Sequence, residues 1–190
     1  VLELARIESG KSGIEESIID MKELYESVGC LFENQMRDRQ ISFTRTLRTP
    51  HRFIYADKVK LQEILLNLLS NACKYTPPGG RVSFDICSAP VQEGIELFTT
   101  TIRDNGIGMT KEFLAHIFEA FTRERSSTES RRPGFGLGMG IAKKLTELMG
   151  GTIAVESEPG KVTTFTVRIA HRIAQGPEEA FPAEDSALPD

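Results

Sequence analysis

The sequence holds no tryptophan, and only three histidines and three cysteines occur among its 190 residues. Cys30, Cys73 and Cys87 are odd in number and far apart, which excludes a CxxC metal site and a disulfide framework. They read as buried thiols of a reducing cytosol. His51, His116 and His171 each stand away from any cysteine or carboxylate pair at metal-ligand spacing. Each therefore reads as a surface or cap histidine. No apolar run is long enough to span a bilayer. The segment is expected to be a soluble, cytoplasmic one, with any membrane anchor lying upstream of Val1. The 23 basic and 27 acidic residues leave a net charge of −4, so no broad positive surface advertises nucleic acid or anionic lipid.

What is present is an ordinary globular composition, 39% hydrophobic and 26% charged. The length suits one domain with a remnant of a second. Residues 1–12 look like the end of a helix that began earlier, with Gly10 as its cap. Residues 13–172 carry the periodic segments. Residues 173–190 are acidic and rich in proline and alanine, without periodicity, and read as a linker or tail.

Residues 61–78 are the best-patterned stretch. Leu61, Ile64, Leu65, Leu68 and Ala72 share one face of a helix that Asp57 can cap and Thr76-Pro77-Pro78 ends. Asn67, Asn71 and Lys74 line a second face at i, i+4 and i+7. An apolar stripe is needed for burial, whereas two carboxamides and an amine in register are not. Carboxamide oxygens ligate Mg²⁺, and an ammonium neutralises phosphate oxygens. A solvated polar edge accounts for the pattern about as well.

Around this helix the spacing predicts a helix from Asp20 to about Arg39 and strands at 41–47, 52–55, 81–88, 95–103, 152–157 and 162–169. It also predicts a turn at 90–94 and helices at 110–120 and 137–149. The sum is an α+β chain, a two-layer α/β sandwich with a mixed sheet of about five strands and helices on one face. Two loops carry glycines. Asp104, Gly106 and Gly108 follow a strand, where glycine lets the backbone approach a flat ligand and the carboxylate accepts from an exocyclic amine. An ordinary turn explains that tripeptide equally well. Gly134, Gly136, Gly138 and Gly140 open a helix whose free N–H groups suit an anion. The loop is neither a Walker A loop nor a dinucleotide fingerprint, and a glycine-rich hinge is the plainer account. Residues 122–136 between them are polar and basic and read as a mobile loop. Arg123, Arg125, Arg131 and Arg132 there suit a polyphosphate tail or plain solvation.

The order of the motifs is more specific than any one. Asn67-xxx-Asn71 with Lys74-Tyr75, then Asp104-x-Gly106-x-Gly108, then Ile117-Phe118-Glu119-Ala120-Phe121, then Gly134-x-Gly136-Leu137-Gly138 resembles the N, G1, F and G2 boxes of bacterial two-component sensor histidine kinases. Leu2 to Lys11 is similar to the end of their dimerisation and phosphoacceptor hairpin, and Gly150 to Ile153 and Thr163 to Phe165 to their closing strands. The resemblance implies the GHKL (Bergerat) ATP-binding fold, with ATP and Mg²⁺ as cofactors. It implies that Asn71 binds the metal, Asn67 supports the phosphate side, Lys74 and Arg123 meet phosphate, and Tyr75 packs near adenine. Asp104 would take the adenine amine, with Gly106, Ile107 and Gly108 shaping that pocket and Phe121 beside it. Gly134, Gly136, Leu137, Gly138 and Met139 would close over the nucleotide, and Thr164 stands at a pocket threonine position.

Phe135 stands where a small residue or threonine is usual, Gly140 and Met139 replace a common alanine and leucine, and Val162 replaces a glycine. No histidine sits in a phosphoacceptor context. The implied activity is therefore transfer of the γ-phosphate to a histidine on a dimerisation helix absent from this chain. Relay to a response regulator receiver domain would follow, within a homodimeric parent held at the bacterial inner membrane or extended as a hybrid kinase. Two rivals stand beside this one. A GHKL ATPase of the gyrase, chaperone or mismatch-repair type carries a glutamate where this chain has Asn67, and an amide cannot accept a proton as a carboxylate does. Against a non-catalytic nucleotide-binding interaction module stands the complete set of Asn71, Lys74 and Asp104, while Phe135 in the glycine loop speaks for it.

Overall fold

The computed structural model describes residues 13–119 and 137–176. The expected helix remnant at 1–12, the loop at 122–136 and the tail beyond 176 lie outside them. Strand β1 (Ser17–Asp20) runs into helix α1 (Met21–Asp38), whose first N–H groups at Lys22 and Glu23 donate to the Asp20 carboxylate. Next come β2 (Ser42–Arg48), β3 (Phe53–Ala56) and helix α2 (Lys58–Tyr75). The hairpin β4 (Arg81–Gln92) and β5 (Ile95–Asp104) leads to the short α3 (Lys111–Leu114). Helix α4 (Gly138–Leu148), β6 (Thr152–Glu156) and β7 (Thr163–Arg172) complete the described chain.

Five strands form one mixed sheet in the order β2-β4-β5-β7-β6, in which only β2 and β4 are parallel. Its inner face is read off the alternation: Val82, Phe84 and Ile86, Phe98 and Ile102, Phe165, Val167 and Ile169 are all buried. Against it lie α1, α2 and α4, which bring Leu24, Val28 and Phe32, Ile64, Leu65 and Leu68, and Ala142 and Leu145 to the same core. The Tyr25 and Phe84 rings meet at 4.9 Å and join α1 to β4. The expected α+β sandwich with helices on one face is therefore what the chain forms.

Several boundaries differ from the sequence reading. β1 and β3 pair in a second, two-stranded sheet, and β3 is tied to the end of β7 by the Ile54–Ile173 bridge and the Ala174 N–H to Phe53 carbonyl bond. The folded unit thus continues past 172. β4 runs through Pro90 to Gln92, because proline costs only its own ladder bond and the register shifts between Pro90 and Gln92. The helix expected at 110–120 stops at Leu114. Tight bonds from His116 N–H to Phe113 and from Glu119 N–H to His116 take over and deliver Ile117 to the core.

Two residue classes are corrected. Cys73 is buried, but Cys30 and Cys87 are exposed, Cys87 on the outer face of β4. His171 is a core residue. β7 extends three residues beyond the expected end, so its alternation carries His171 inward against Phe98, with ring centroids 5.5 Å apart. Burial pushes the His171 imidazole below its ordinary pKa. His116 is exposed, and His51 is exposed with Nδ1 2.7 Å from the buried Glu96 carboxylate.

Candidate functional site

The expected polar face belongs to α2, whose start is fixed by Asp57 accepting from the Lys60 N–H. Asn67, Asn71 and Lys74 are each half-buried beside the apolar stripe. Among the described residues neither asparagine carboxamide has a hydrogen-bond partner. The Lys74 ammonium lies 5.0 Å from the centre of the Tyr75 ring, which is 42% exposed. That stacking keeps the cation at the surface end of the helix.

The Asp104 loop hangs from the end of the same helix. The Ile107 N–H donates to the Tyr75 carbonyl at 3.3 Å, and the Gly160 N–H to the Ile107 carbonyl at 2.8 Å, so the loop is held between α2 and the β6–β7 turn. Two glycines are required by this clamp. A Cβ on Gly106 would lie 2.4 Å from the Tyr75 carbonyl oxygen. Gly108 adopts φ +69 against the Glu158 backbone, where a Cβ would collide. Ile107 itself is half exposed, whereas Met109 is buried. Asn105 ties the loop to the start of β4 by accepting from the Arg81 N–H at 2.6 Å.

Asp104 is 5% exposed, and its Oδ1 accepts from the Gly106 N–H at 3.0 Å. Burial pushes its carboxyl pKa up to about 6, and the Gly106 N–H opposes that rise. Directly opposite in the β5–β7 ladder stands Thr163, buried and hydrogen-bonded to Ser157 at 2.7 Å. Opposed residues share a face. Thr164, the threonine named in the sequence, is therefore on the outer face with Arg103 and Glu156.

Helix α4 closes a third side. Leu137 precedes it without a side-chain cap, and its first turn carries no acidic residue, so among the described residues no side chain caps the positive end formed by the N–H groups of Gly138, Met139 and Gly140. Met139 is buried and faces the core. Gly138 approaches α2 so closely that a Cβ on it would lie 2.8 Å from Asn67 Oδ1. The structure thus brings Asn67, Leu137 and Gly138 together on one side and Tyr75, Asp104, Gly106 and Ile107 on the other, with Asn71 and Lys74 on the helix that joins them. Phe121, Arg123, Gly134 and Gly136 lie outside the described residues. Thr163, Ser157 and Asn105 were missed by the motif reading. Only the pairing of β5 with β7 reveals Thr163.

Residues 56–173 match the model of the histidine kinase-, DNA gyrase B- and HSP90-like ATPase family. The sensor histidine kinase WalK of Bacillus subtilis is 34% identical over 139 residues, 73% of this chain and 22% of WalK. The circadian input-output histidine kinase CikA of Synechococcus elongatus is 32% identical over 188 residues, 98% of this chain and 24% of CikA. The chain therefore spans about a quarter of the length of these curated relatives. Among solved structures, full-length ShkA in complex with AMPPNP superposes with a TM-score of 0.76 at 27% identity, covering 92% of this chain and 35% of that one. Among the described residues no helix is long and apolar enough to cross a membrane. The chain belongs to the histidine kinase-, DNA gyrase B- and HSP90-like ATPase family, and within it to the ATP-binding catalytic domains of sensor histidine kinases.

Proposed function

We propose that residues 13–172 bind ATP with Mg²⁺ between α2, the Asp104 loop and the N-terminus of α4, and present the γ-phosphate to a histidine on a dimerisation helix outside this chain. The observation that carries the reading is the clamp on Asp104. A buried carboxylate is fixed beside the glycine loop at one end of α2, and Asn67 and Asn71, without a partner among the described residues, stand along the same helix toward Gly138. The carboxylate accepts the adenine amine, and Thr163, rather than Thr164, supports it from the facing strand. The N–H groups at the start of α4 and the Lys74 ammonium receive the phosphates.

Asn71, with Asn67 beside it, suits a hard cation, since both carboxamides are half-buried and without a partner among the described residues. Bound there, Mg²⁺ supplies neutralisation of charge on the phosphate oxygens. The chain itself positions the nucleotide; phosphoryl transfer asks for orientation and charge more than for covalent chemistry. A neutral imidazole attacks without a strong base, so none is needed in this domain. The receiving histidine, the homodimer, the response regulator receiver domain and any anchoring at the bacterial inner membrane belong to the longer parent.

The test has two parts. Calorimetry with Mg-ATP should show binding to the chain, and incubation with labelled ATP should leave it unlabelled. The full-length parent should take up acid-labile label. Stable label on a histidine of this chain alone, or no nucleotide binding, would overturn the proposal.

A further inference from the structure

Both the polar face of α2 and the Asp104 loop depend on the last turn of α2, and that turn is held from an element outside every motif. Arg39, which follows α1, is half-buried and makes no ion pair among the described residues. Its guanidinium instead forks onto the end of α2: Nη2 donates to the Thr76 carbonyl at 3.1 Å and Nη1 to Cys73 Sγ at 3.6 Å. The last carbonyls of a helix lack partners within it, and a cation there meets the negative end of the helix dipole. Two other carbonyls of this turn are taken. The Ala72 carbonyl accepts from Thr76 N–H and Oγ1, and the Tyr75 carbonyl accepts from Ile107. Arg39 adds the Thr76 carbonyl to these, and Gly79 N–H donates to the Gln40 carbonyl to lock the same corner.

We infer that Arg39 is a positioning residue for nucleotide recognition, acting through Thr76 and Tyr75 on the Ile107–Gly106 loop that carries Asp104. The inference rests on the proposed nucleotide site. The path is short and made of hydrogen bonds: Arg39 to Thr76, the adjacent Tyr75 carbonyl to Ile107, and Gly106 N–H to Asp104. A fork of five fixed donors suits two acceptors at once, and a lysine ammonium does not.

Three variants decide it. Arg39→Met removes the fork, Arg39→Lys keeps the charge, and Val28→Ala trims α1 at a buried residue away from this corner. The first readout is hydrogen exchange at the Ile107 amide without nucleotide, and the second is calorimetric affinity for Mg-ATP. We expect faster Ile107 exchange and about tenfold weaker ATP binding in Arg39→Met, the loss of one hydrogen bond to a charged group. Arg39→Lys should recover part of both. Val28→Ala, although its unfolding temperature falls, should keep wild-type exchange and affinity. Unchanged Ile107 exchange in Arg39→Met, or an equal loss of affinity in Val28→Ala, would overturn the inference. Wild-type protein that bound no nucleotide would sink the nucleotide reading instead, and the exchange result would still decide whether Arg39 holds the loop.

Discussion

Gly138, the first residue of α4, faces Asn67 Oδ1 at a distance that leaves no room for a methyl group, since a Cβ there would lie 2.8 Å from that oxygen. Helix α4 therefore reaches the polar face of α2 only because position 138 has no side chain. Gly138→Ala raises helix propensity by about 1 kcal/mol. It also pushes the Asn67 carboxamide aside or α4 outward. We expect little change in unfolding temperature with about tenfold weaker Mg-ATP binding, equivalent to 1.4 kcal/mol. Calorimetry showing wild-type affinity would mean that the Asn67–Gly138 contact does not shape the site.

If Asp104 reads the nucleotide as proposed, binding depends on pH. Its carboxyl pKa, about 6 in the folded chain, lies above the ordinary value of 3.8, so the folded state holds the proton more tightly. The stabilisation from that proton is complete below the ordinary value and is lost as pH rises through about 6. Asp104→Asn removes the buried charge. At pH 7.5 the variant should unfold at a higher temperature than wild type, by on the order of 2 kcal/mol of stability, with the difference closing near pH 4. Nucleotide binding should move the other way. In the proposed site the introduced amide donor would face the adenine amine, costing about 1–3 kcal/mol of affinity. Wild-type affinity should itself weaken as pH falls through about 6, as the acceptor becomes protonated. Equal melting of the two proteins across this range would contradict the buried, ionised Asp104.

Much of this was legible in the sequence and some was not. Helix α2 was legible because the apolar stripe from Leu61 to Ala72, the Asp57 cap and the Thr76-Pro77 stop agree with one another. The hairpin β4–β5 was legible from period-two alternation. The face of Thr163 was not, because a strand's side chains change sides with every residue and the partner of β7 lies about 60 residues earlier. His171 was misplaced for a related reason. The alternation of β7 continues past Ile169, but Arg168, Ala170 and Arg172 on the outer face made the segment look finished. Arg39 carries no motif at all, and a long cation after a helix reads as solvated charge until the neighbouring helix end is placed beside it.

Gln40 offers a test of backbone strain. It is the one non-glycine residue with positive φ among the described residues, at 56°, and its side chain is exposed. A side chain in the left-handed region costs roughly 1 kcal/mol, and glycine escapes that cost while giving up some unfolded-state restriction. Gln40→Gly should raise stability by about 0.5 kcal/mol, and Gln40→Val should lower it, since a β-branched side chain resists this region most. Denaturant midpoints in the reverse order would show that the corner between α1 and β2 is not set by backbone conformation.

Asn67 offers a test of the kinase reading against the ATPase one. Water attacks a phosphate efficiently when a carboxylate orients it and accepts its proton, and an amide does not accept a proton. With Asn67 on the face of α2 that meets the N-terminus of α4, the isolated domain should bind ATP and hydrolyse it barely above background. Asn67→Glu places a carboxylate one helical turn before Asn71, on the same face. That charge either orients water or repels the phosphates. Repulsion should dominate, because the added carboxylate would stand beside the phosphates and a like charge at 4 Å costs about 4 kcal/mol near a protein surface. We therefore expect Asn67→Glu to bind Mg-ATP at least tenfold more weakly, 1.4 kcal/mol or more, without gaining turnover. Steady-state phosphate release by wild type, Asn67→Glu and Asn67→Ala measures this directly. Rapid wild-type turnover that Asn67→Ala abolishes would overturn the kinase assignment of the site, because an amide would then be supporting attack by water.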